Sequence, residues 1–473
     1  MEQGNYSVAK GLGTTQMELG GYSVGLDIGT TKIVAIIGKE NEYGKIEVLG
    51  IGKSKSLGVH RGVVNNITQT IKSIQQAVEE AEANSGLKIS SVVVGIAGQH
   101  IRSLHHSDYI TRADSEEVIN EEDLDKLVNQ VYKLVMLPGE EIIHVLPQEY
   151  KVDGQAEIKQ PIGMYGGRLE ANFHVVVGQV SSIKNVARCI KSAGLDLGNI
   201  TLEPLASSDA VLSQEEKEAG VALIDIGGGT TDLAIFKDGI IRHTAVIPFG
   251  GGVITEDIKE GCSIIEKQAE LLKMKFGSAW PGENKDNEIV SIPGLRGREP
   301  KEITLKNLSK IIHARVVEII EQVYVEIKNY GHEEQKKKLI AGIVLTGGGS
   351  QLQHLKQLVE YITGMDTRIG YPNEHLAGDS DETVASPLYA TAVGLLMNAV
   401  RNDVKGTSKR EEQATTSNKL DQDKSKSANT SQNEEDDNKA SRELKAAAHK
   451  MKERKSVFDK WSEKLKEFLD NAE

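Results

Sequence analysis

Apolar residues run along this chain in two rhythms. Short β-branched runs bounded by Gly, Asp and Thr predict strands; apolar residues spaced by three and four predict helices. Two predicted strand pairs share one pattern. The first is Val24-Gly25-Leu26-Asp27-Ile28-Gly29-Thr30-Thr31-Lys32, followed by an apolar run over 33–37. The second is Ala222-Leu223-Ile224-Asp225-Ile226-Gly227-Gly228-Gly229-Thr230-Thr231-Asp232, followed by one over 233–236. In each, a strand ends in Asp-Ile-Gly, small hydroxyl residues form a corner, and a second strand returns.

Around the first pair the pattern predicts a strand over 46–51 and a helix over 66–83, carried by Ile67, Ile71, Ile74, Ala77, Val78 and Ala81. A buried strand over 91–97 follows. Residues 103–183 break this β-β-β-α-β order and read as a small α+β insert, with strands near 101–105, 142–152 and 173–180 and a helix over 121–134. A helix over 181–193 leads back through 200–202 to Glu203-Pro204-Leu205-Ala206-Ser207-Ser208. A second core begins at 221. Gly250, Gly251 and Gly252 open a helix in it, and a helix over 264–276, a Pro- and Gly-rich loop over 277–300 and a long helix over 304–330 follow. A strand over 340–345 and helices over 352–363 and 387–399 end the globular part.

The expected domain plan has a disordered leader over 1–21, a first core over 22–102, the insert over 103–183 and a return to the first core over 184–215. The second core takes 216–250 and 331–372, its smaller subdomain 251–330, and the first core ends over 373–400. Residues 401–450 are expected to be a flexible linker, because polar and charged residues dominate and cannot bury enough apolar surface to offset ordering. Over 451–473 the helical rhythm returns. Val457, Phe458, Trp461, Leu465, Phe468 and Leu469 fall within roughly 120° of a helical wheel, and Lys, Asp and Glu fill the rest. This face predicts an interfacial membrane helix, with aromatic rings at the headgroups and lysines near anionic lipid. Docking on the protein's own body, or a coiled coil, fits the same pattern.

Composition narrows the class. A chain of 473 residues can build several cores, and a net charge of −13 argues against nucleic acid as the main partner. The two cysteines, Cys189 and Cys262, have no metal-ligand spacing and read as small packing residues in a reducing compartment. No apolar run is long enough to span a bilayer, so membrane contact is expected to be peripheral.

The candidate chemistry lies in the corners. Backbone N–H groups of Gly29, Thr30, Thr31, Gly227, Gly228, Gly229, Thr230 and Thr231 can hold an anion, helped by the Thr hydroxyls and the charge of Lys32. Asp27 and Asp225, at strand ends, can each hold a water of a hydrated Mg²⁺. Their separation of 198 positions suggests two similar domains gripping a triphosphate from both sides. A third Gly-rich start, Gly347-Gly348-Gly349, follows an apolar strand and leaves room for a flat ring.

Together these three motifs resemble the actin-like ATPase superfamily, which includes actin, Hsp70 chaperones and sugar kinases. The resemblance implies a two-lobed α/β fold with a duplicated ribonuclease H-like core. It makes Asp27 to Lys32 and Asp225 to Thr231 the phosphate loops, Gly347 to Gly349 the adenosine loop, and ATP with Mg²⁺ the ligand. Glu203 resembles the residue that orients the attacking water. Glu270 and Lys273 could bracket ribose or adenine; an ordinary surface pair fits their spacing as well.

Within the superfamily the chain resembles the FtsA family of bacterial cell division proteins. The likeness rests on Val24 to Lys32, Gly95-Ile96-Ala97-Gly98, Phe249 to Ile258, Ala269-Glu270-Leu271-Leu272-Lys273, the insert in the position of FtsA's domain 1C, and the linker with terminal helix. It implies a slow ATPase at most, which polymerises and anchors FtsZ to the cytoplasmic face of the inner membrane at the division site. It further implies binding of the FtsZ tail near Arg315 and Glu318, and contacts with other divisome proteins. A PilM-like pilus assembly protein is the nearest rival, and a sugar-kinase-like phosphotransferase the next. Neither calls for the linker and terminal helix.

Overall fold

The computed structural model describes residues 21–402, apart from 284–286, 295–298 and 379–381. The leader up to residue 20, the linker from residue 403 and the terminal helix with Val457, Phe458, Trp461, Leu465, Phe468 and Leu469 lie outside the described residues.

The first strand pair is β1 (Ser23–Ile28) and β2 (Lys32–Glu40), antiparallel, with β3 (Ile46–Lys55) antiparallel to β2. A short hairpin of β4 (Val59–His60) and β5 (Val63–Val64) precedes α1 (Ile67–Ser85). Asn66 caps this helix by accepting the Gln69 N–H at 3.1 Å, and Gly86 ends it in the left-handed region. Next, β6 (Ser91–Ile96) runs parallel to β1. The insert comprises β7 (Arg102–Thr111), α2 (Glu121–Val131), β8 (Glu140–Val152), β9 (Gln155–Ile158) and β10 (Arg168–Gln179), in the sheet order β7-β10-β8-β9. The chain returns through α3 (Val180–Ser192) to β11 (Asp196–Leu202), which completes a first sheet of order β11-β6-β1-β2-β3.

The helices α4 (Glu203–Val211) and α5 (Gln214–Ala219) lead into the second core. Its strands β12 (Val221–Ile226), β13 (Thr231–Lys237) and β14 (Ile240–Ile247) repeat the antiparallel trio. Then come α6 (Gly251–Cys262), α7 (Glu266–Phe276), a hairpin of β15 (Ile289–Ile292) and β16 (Lys301–Thr304), and α8 (Leu305–Tyr330). The parallel strand β17 (Ile343–Thr346), α9 (Leu355–Thr363) and β18 (Thr367–Ile369) give a second sheet of order β14-β13-β12-β17-β18. Three antiparallel strands beside two parallel ones, in the same order twice, establish the duplication. The stretch over 277–300 expected as loop thus contains a strand of the β15–β16 hairpin; with four residues to a strand, alternation is too short to register.

Side-chain alternation sets the layers. Val24, Leu26 and Ile28 face the core beneath α1 and α3, while Ala222, Ile224 and Ile226 face the core beneath α6, α8 and α9. The opposite faces of β1 and β12 therefore carry Asp27 and Asp225 toward the space between the sheets. There α4 crosses a helix over 390–402, in a core shared by Val34 and Ile36 of the first sheet and Leu223 and Val344 of the second. Cys189 and Cys262 are free and buried in different cores. The insert lies along β14: Gln148 Nε2 donates to the Ile241 carbonyl at 2.6 Å, and Ser103 Oγ to that of Thr244 at 2.9 Å.

Candidate functional site

The two Asp-Ile-Gly corners meet tip to tip. A Cβ on Gly228 would lie 2.3 Å from Thr31 Cγ2, and one on Gly229 would lie 2.4 Å from Thr30 Oγ1, so only glycine allows this approach. Thr231 Oγ1 donates to the Phe249 carbonyl at 2.8 Å, and the N–H groups of Gly251 and Gly252 donate to Gly227 and Gly228 at 2.9 and 2.7 Å. The Gly250 entry of α6 is thereby fastened to the second corner. On the first corner, Thr30 Oγ1 accepts the Gly62 N–H of the β4–β5 hairpin at 3.0 Å. Lys32 Nζ lies 3.5 Å from Asp27 Oδ2 and donates to the Leu388 carbonyl at 2.7 Å. Gly347, with φ of +80°, brings its backbone against Asp225: a Cβ there would lie 2.2 Å from Oδ1.

Four carboxyl groups occupy the floor of this region. Asp225 Oδ2 accepts from Ser207 Oγ at 2.7 Å and from Thr391 Oγ1 at 3.2 Å. Burial first, then the nearby Asp27 charge, raises Asp225's proton affinity, while the two hydroxyls oppose the shift. Asp232 stands opposite Asp225 in the β12–β13 register. Its Oδ2 accepts from Thr230 Oγ1 at 3.0 Å, and its Oδ1 is buried without a hydrogen-bond partner among the described residues. Burial and then Asp225 push Asp232 up to about 7. Glu203, first residue of α4, is raised well above the usual carboxylate range by burial and then by Asp27, Asp232 and Asp225. A carboxyl raised on folding weakens the folded state as pH climbs from its unfolded value through its folded one. Asp232→Asn is therefore expected to raise the thermal midpoint at pH 8, by on the order of 2–4 kcal/mol of stability. The gain should vanish near pH 4, and a gain equal at both pH values in scanning calorimetry would contradict this account.

The other residues singled out in the sequence fall as follows. Lys273 Nζ donates to the Gly251 carbonyl at 2.8 Å and to Thr255 Oγ1 at 2.7 Å, and pairs with Glu270 at 2.7 Å, while Thr255 also bonds Glu270. Glu270 and Lys273 thus sit beside the Gly250–Gly252 entry. Arg315 and Glu318 lie apart from the corners, on α8. Arg315 grips Asp257 of α6 through two bonds of 2.5 and 3.0 Å, and also pairs with Glu318.

Chemically, the corners offer anion donors beside acidic groups suited to a cation. Among the described residues, the N–H groups of Gly228 and Gly229 have no acceptor, and Asp232 Oδ1 is an orphan. No group of three or more His, Cys, Asp or Glu side chains among those residues could hold a metal directly. Backbone N–H groups and carboxyl groups side by side are the partners that a phosphate chain and a hydrated cation would need. Sequence reasoning missed Asp232, Ser207 and Thr391. Asp232 could have been found, because a hairpin closed by Gly227–Thr230 places it opposite Asp225. Ser207 carries a weak signal, as one of two adjacent hydroxyl residues in the segment that begins at Glu203, and Thr391 carries none.

Two facing cores of one topology, with an α+β insert within the first and paired Asp-Ile-Gly corners at their junction, define an actin-like protein. A chain of the solved PilM-PilN type IV pilus biogenesis complex shares this fold, with a TM-score of 0.57 at 16% identity over 80% of this chain and 98% of its own. The family model for the cell division protein FtsA matches residues 222–394, and that for the SHS2 domain inserted in FtsA matches 98–177, the insert described above. Cell division protein FtsA of Pseudomonas aeruginosa is 39% identical over 80% of this chain and 89% of its own length. That of Escherichia coli K12 is 33% identical over 82% and 92%. The chain belongs to the FtsA family of cell division proteins.

Proposed function

We propose that this protein binds Mg·ATP between its two cores, polymerises, and anchors FtsZ to the cytoplasmic face of the inner membrane at the division site, where it meets other divisome proteins. The observation that carries the reading is the meeting of the two corners with Gly347 around a floor of carboxyl groups, in a chain of the FtsA family. In this reading the Gly228 and Gly229 N–H groups and the Thr30 and Thr31 hydroxyls hold phosphates. Asp27 and Asp225 hold waters of Mg²⁺, and Gly347 to Gly349 face the adenosine, with Glu270 and Lys273 beside it. Glu203 orients the attacking water. Burial and its acidic neighbours favour its protonated form, which suits it to orienting the water by a hydrogen bond rather than to taking the water's proton.

The FtsZ tail is assigned to the subdomain built from α6, α7, β15, β16 and α8. A cleft of about 490 Å³ there is lined by Lys301, Lys306 and Lys310, with Glu302 among them. Three lysines suit an acidic peptide. Arg315 is already paired with Asp257 and Glu318, so a peptide carboxylate would have to share its guanidinium.

No helix among the described residues is long and apolar enough to cross a membrane. Membrane attachment is assigned to the apolar face of Val457, Phe458, Trp461, Leu465, Phe468 and Leu469. One such helix binds weakly, because interfacial insertion buries each side chain only in part and ordering costs part of the gain. A filament carrying many tails binds by avidity. Co-pelleting of FtsZ with anionic liposomes tests the assembly. FtsZ is expected in the pellet with wild-type protein, and to remain in solution with Trp461→Glu, which puts a charge at the centre of the apolar arc. Equal pelleting by the two proteins would sink the tail assignment; wild-type protein that pellets while FtsZ stays in solution would sink the FtsZ contact.

A further inference from the structure

One turn, residues 386–391, touches all three Gly-rich loops. The Leu388 carbonyl accepts from Lys32 Nζ at 2.7 Å, beside the first corner. The Pro387 carbonyl accepts the Gly347 N–H at 3.2 Å, and Ser386 Oγ accepts from Gln351 Nε2 at 3.0 Å. Thr391 Oγ1 donates to Asp225 Oδ2 at 3.2 Å, at the second corner. Ser207 Oγ, from α4, donates to the same oxygen at 2.7 Å and lies 3.0 Å from Thr391 Oγ1. The two hydroxyls belong to the two helices that cross between the sheets, whereas Asp225 belongs to the second sheet. Asp225 is therefore fixed from outside its own sheet. Both donors approach Oδ2, which sets the plane of the carboxylate and leaves Oδ1 at the Gly347 backbone.

We propose that the 386–391 turn and Ser207 form the positioning device of the nucleotide site, with Thr391 and Ser207 as positioning residues that orient Asp225 toward the metal's water. The inference rests on the nucleotide reading of the three loops. It also makes metal loading and the relative placement of the two cores reciprocal. A carboxylate held by the crossing helices on one oxygen, and by a hydrated cation on the other, transmits any change between them. A ligand that prefers one placement of the cores must then bind more tightly when the hydroxyls enforce it.

The test compares ATP affinity by calorimetry with Mg²⁺ and with EDTA, in wild-type protein, Ser207→Ala/Thr391→Val and Thr391→Ser. The double variant is expected to bind Mg·ATP at least tenfold more weakly, to bind metal-free ATP within about twofold of wild type, and Thr391→Ser to match wild type. An unchanged Mg·ATP affinity, or an equal loss with and without Mg²⁺, would overturn the proposal; the second result would mark the hydroxyls as merely structural. If the double variant does not fold, Thr391→Val alone, which keeps the side-chain shape, is read by the same criterion. Failure of wild type to bind ATP would instead reject the nucleotide reading. The positioning device is then judged without nucleotide, by electron-spin distances between labels on Lys72→Cys of α1 and Lys356→Cys of α9. The distribution is expected to broaden in the double variant, and an unchanged distribution would overturn the proposal.

Discussion

Gly394→Val is expected to abolish the cooperative native fold, and Gly394→Ala to lower its thermal midpoint by several degrees. Gly394 marks the point where the helix over 390–402 crosses α4. A Cβ built on it would lie 1.8 Å from the Ala206 carbonyl oxygen and 2.3 Å from its carbon, both backbone atoms. The helix cannot retreat, because its other side lies against the first sheet: a Cβ on Gly25 would meet Leu396 N at 2.7 Å and the Ala392 carbonyl oxygen at 3.1 Å. Overpacking of a core costs roughly 1–3 kcal/mol where neighbours can shift, and more where they cannot. A cost of about 3 kcal/mol corresponds to a drop of roughly 6–12 °C in a domain of moderate size. Gly378→Ala is the control, since nothing lies within 4 Å of its Cβ position. Equal midpoints for Gly394→Ala and Gly378→Ala in scanning calorimetry would refute the close crossing.

Asp225→Ala is expected to reduce Mg·ATP affinity by at least tenfold, about 1.4 kcal/mol or more, while leaving the fold intact. The substitution removes the carboxylate that would hold the metal's water and the acceptor that Ser207 and Thr391 share. The two hydroxyls remain 3.0 Å apart and one can donate to the other, so a single O–H is left without its acceptor, a modest cost. Removing a charge from a floor that also holds Asp27, Glu203 and Asp232 relieves repulsion, which protects the fold. Asp225→Asn keeps the shape and loses the charge, and should show the same loss of affinity. Calorimetry with Mg²⁺ and with EDTA separates the metal's share; an unaltered Mg·ATP affinity in both variants would remove Asp225 from the site.

The parts of the candidate site legible in the sequence are those made by adjacent residues. An apolar run ending in Asp-Ile-Gly and small hydroxyl residues can do little other than form a strand, a tight corner and a strand, because glycine frees the backbone and β-branched residues favour extension. The two corners, the Gly347 loop and the α+β insert were all readable on that basis. The short β15–β16 hairpin was not, nor the pairing of Arg315 with Asp257 at a separation of 58 positions, which spacing along α8 cannot reveal.

Sequence alone determined that two like cores exist, and that Asp27 and Asp225 share the strand face opposite the apolar residues packed beneath the helices. The cause is local: a strand has period two, so the alternation that buries Val24 and Leu26, or Ala222 and Ile224, turns both Asp residues the other way. Only the tertiary structure decided what meets them there. Thr391 reaches Asp225 across 166 positions, and Leu388 reaches Lys32 across 356. Those contacts exist because two helices are held between two sheets at a crossing that Gly394 makes close enough, and because burial among like charges raises the proton affinity of Asp225 and Asp232. Distance along the chain carries no record of such neighbours; packing creates them.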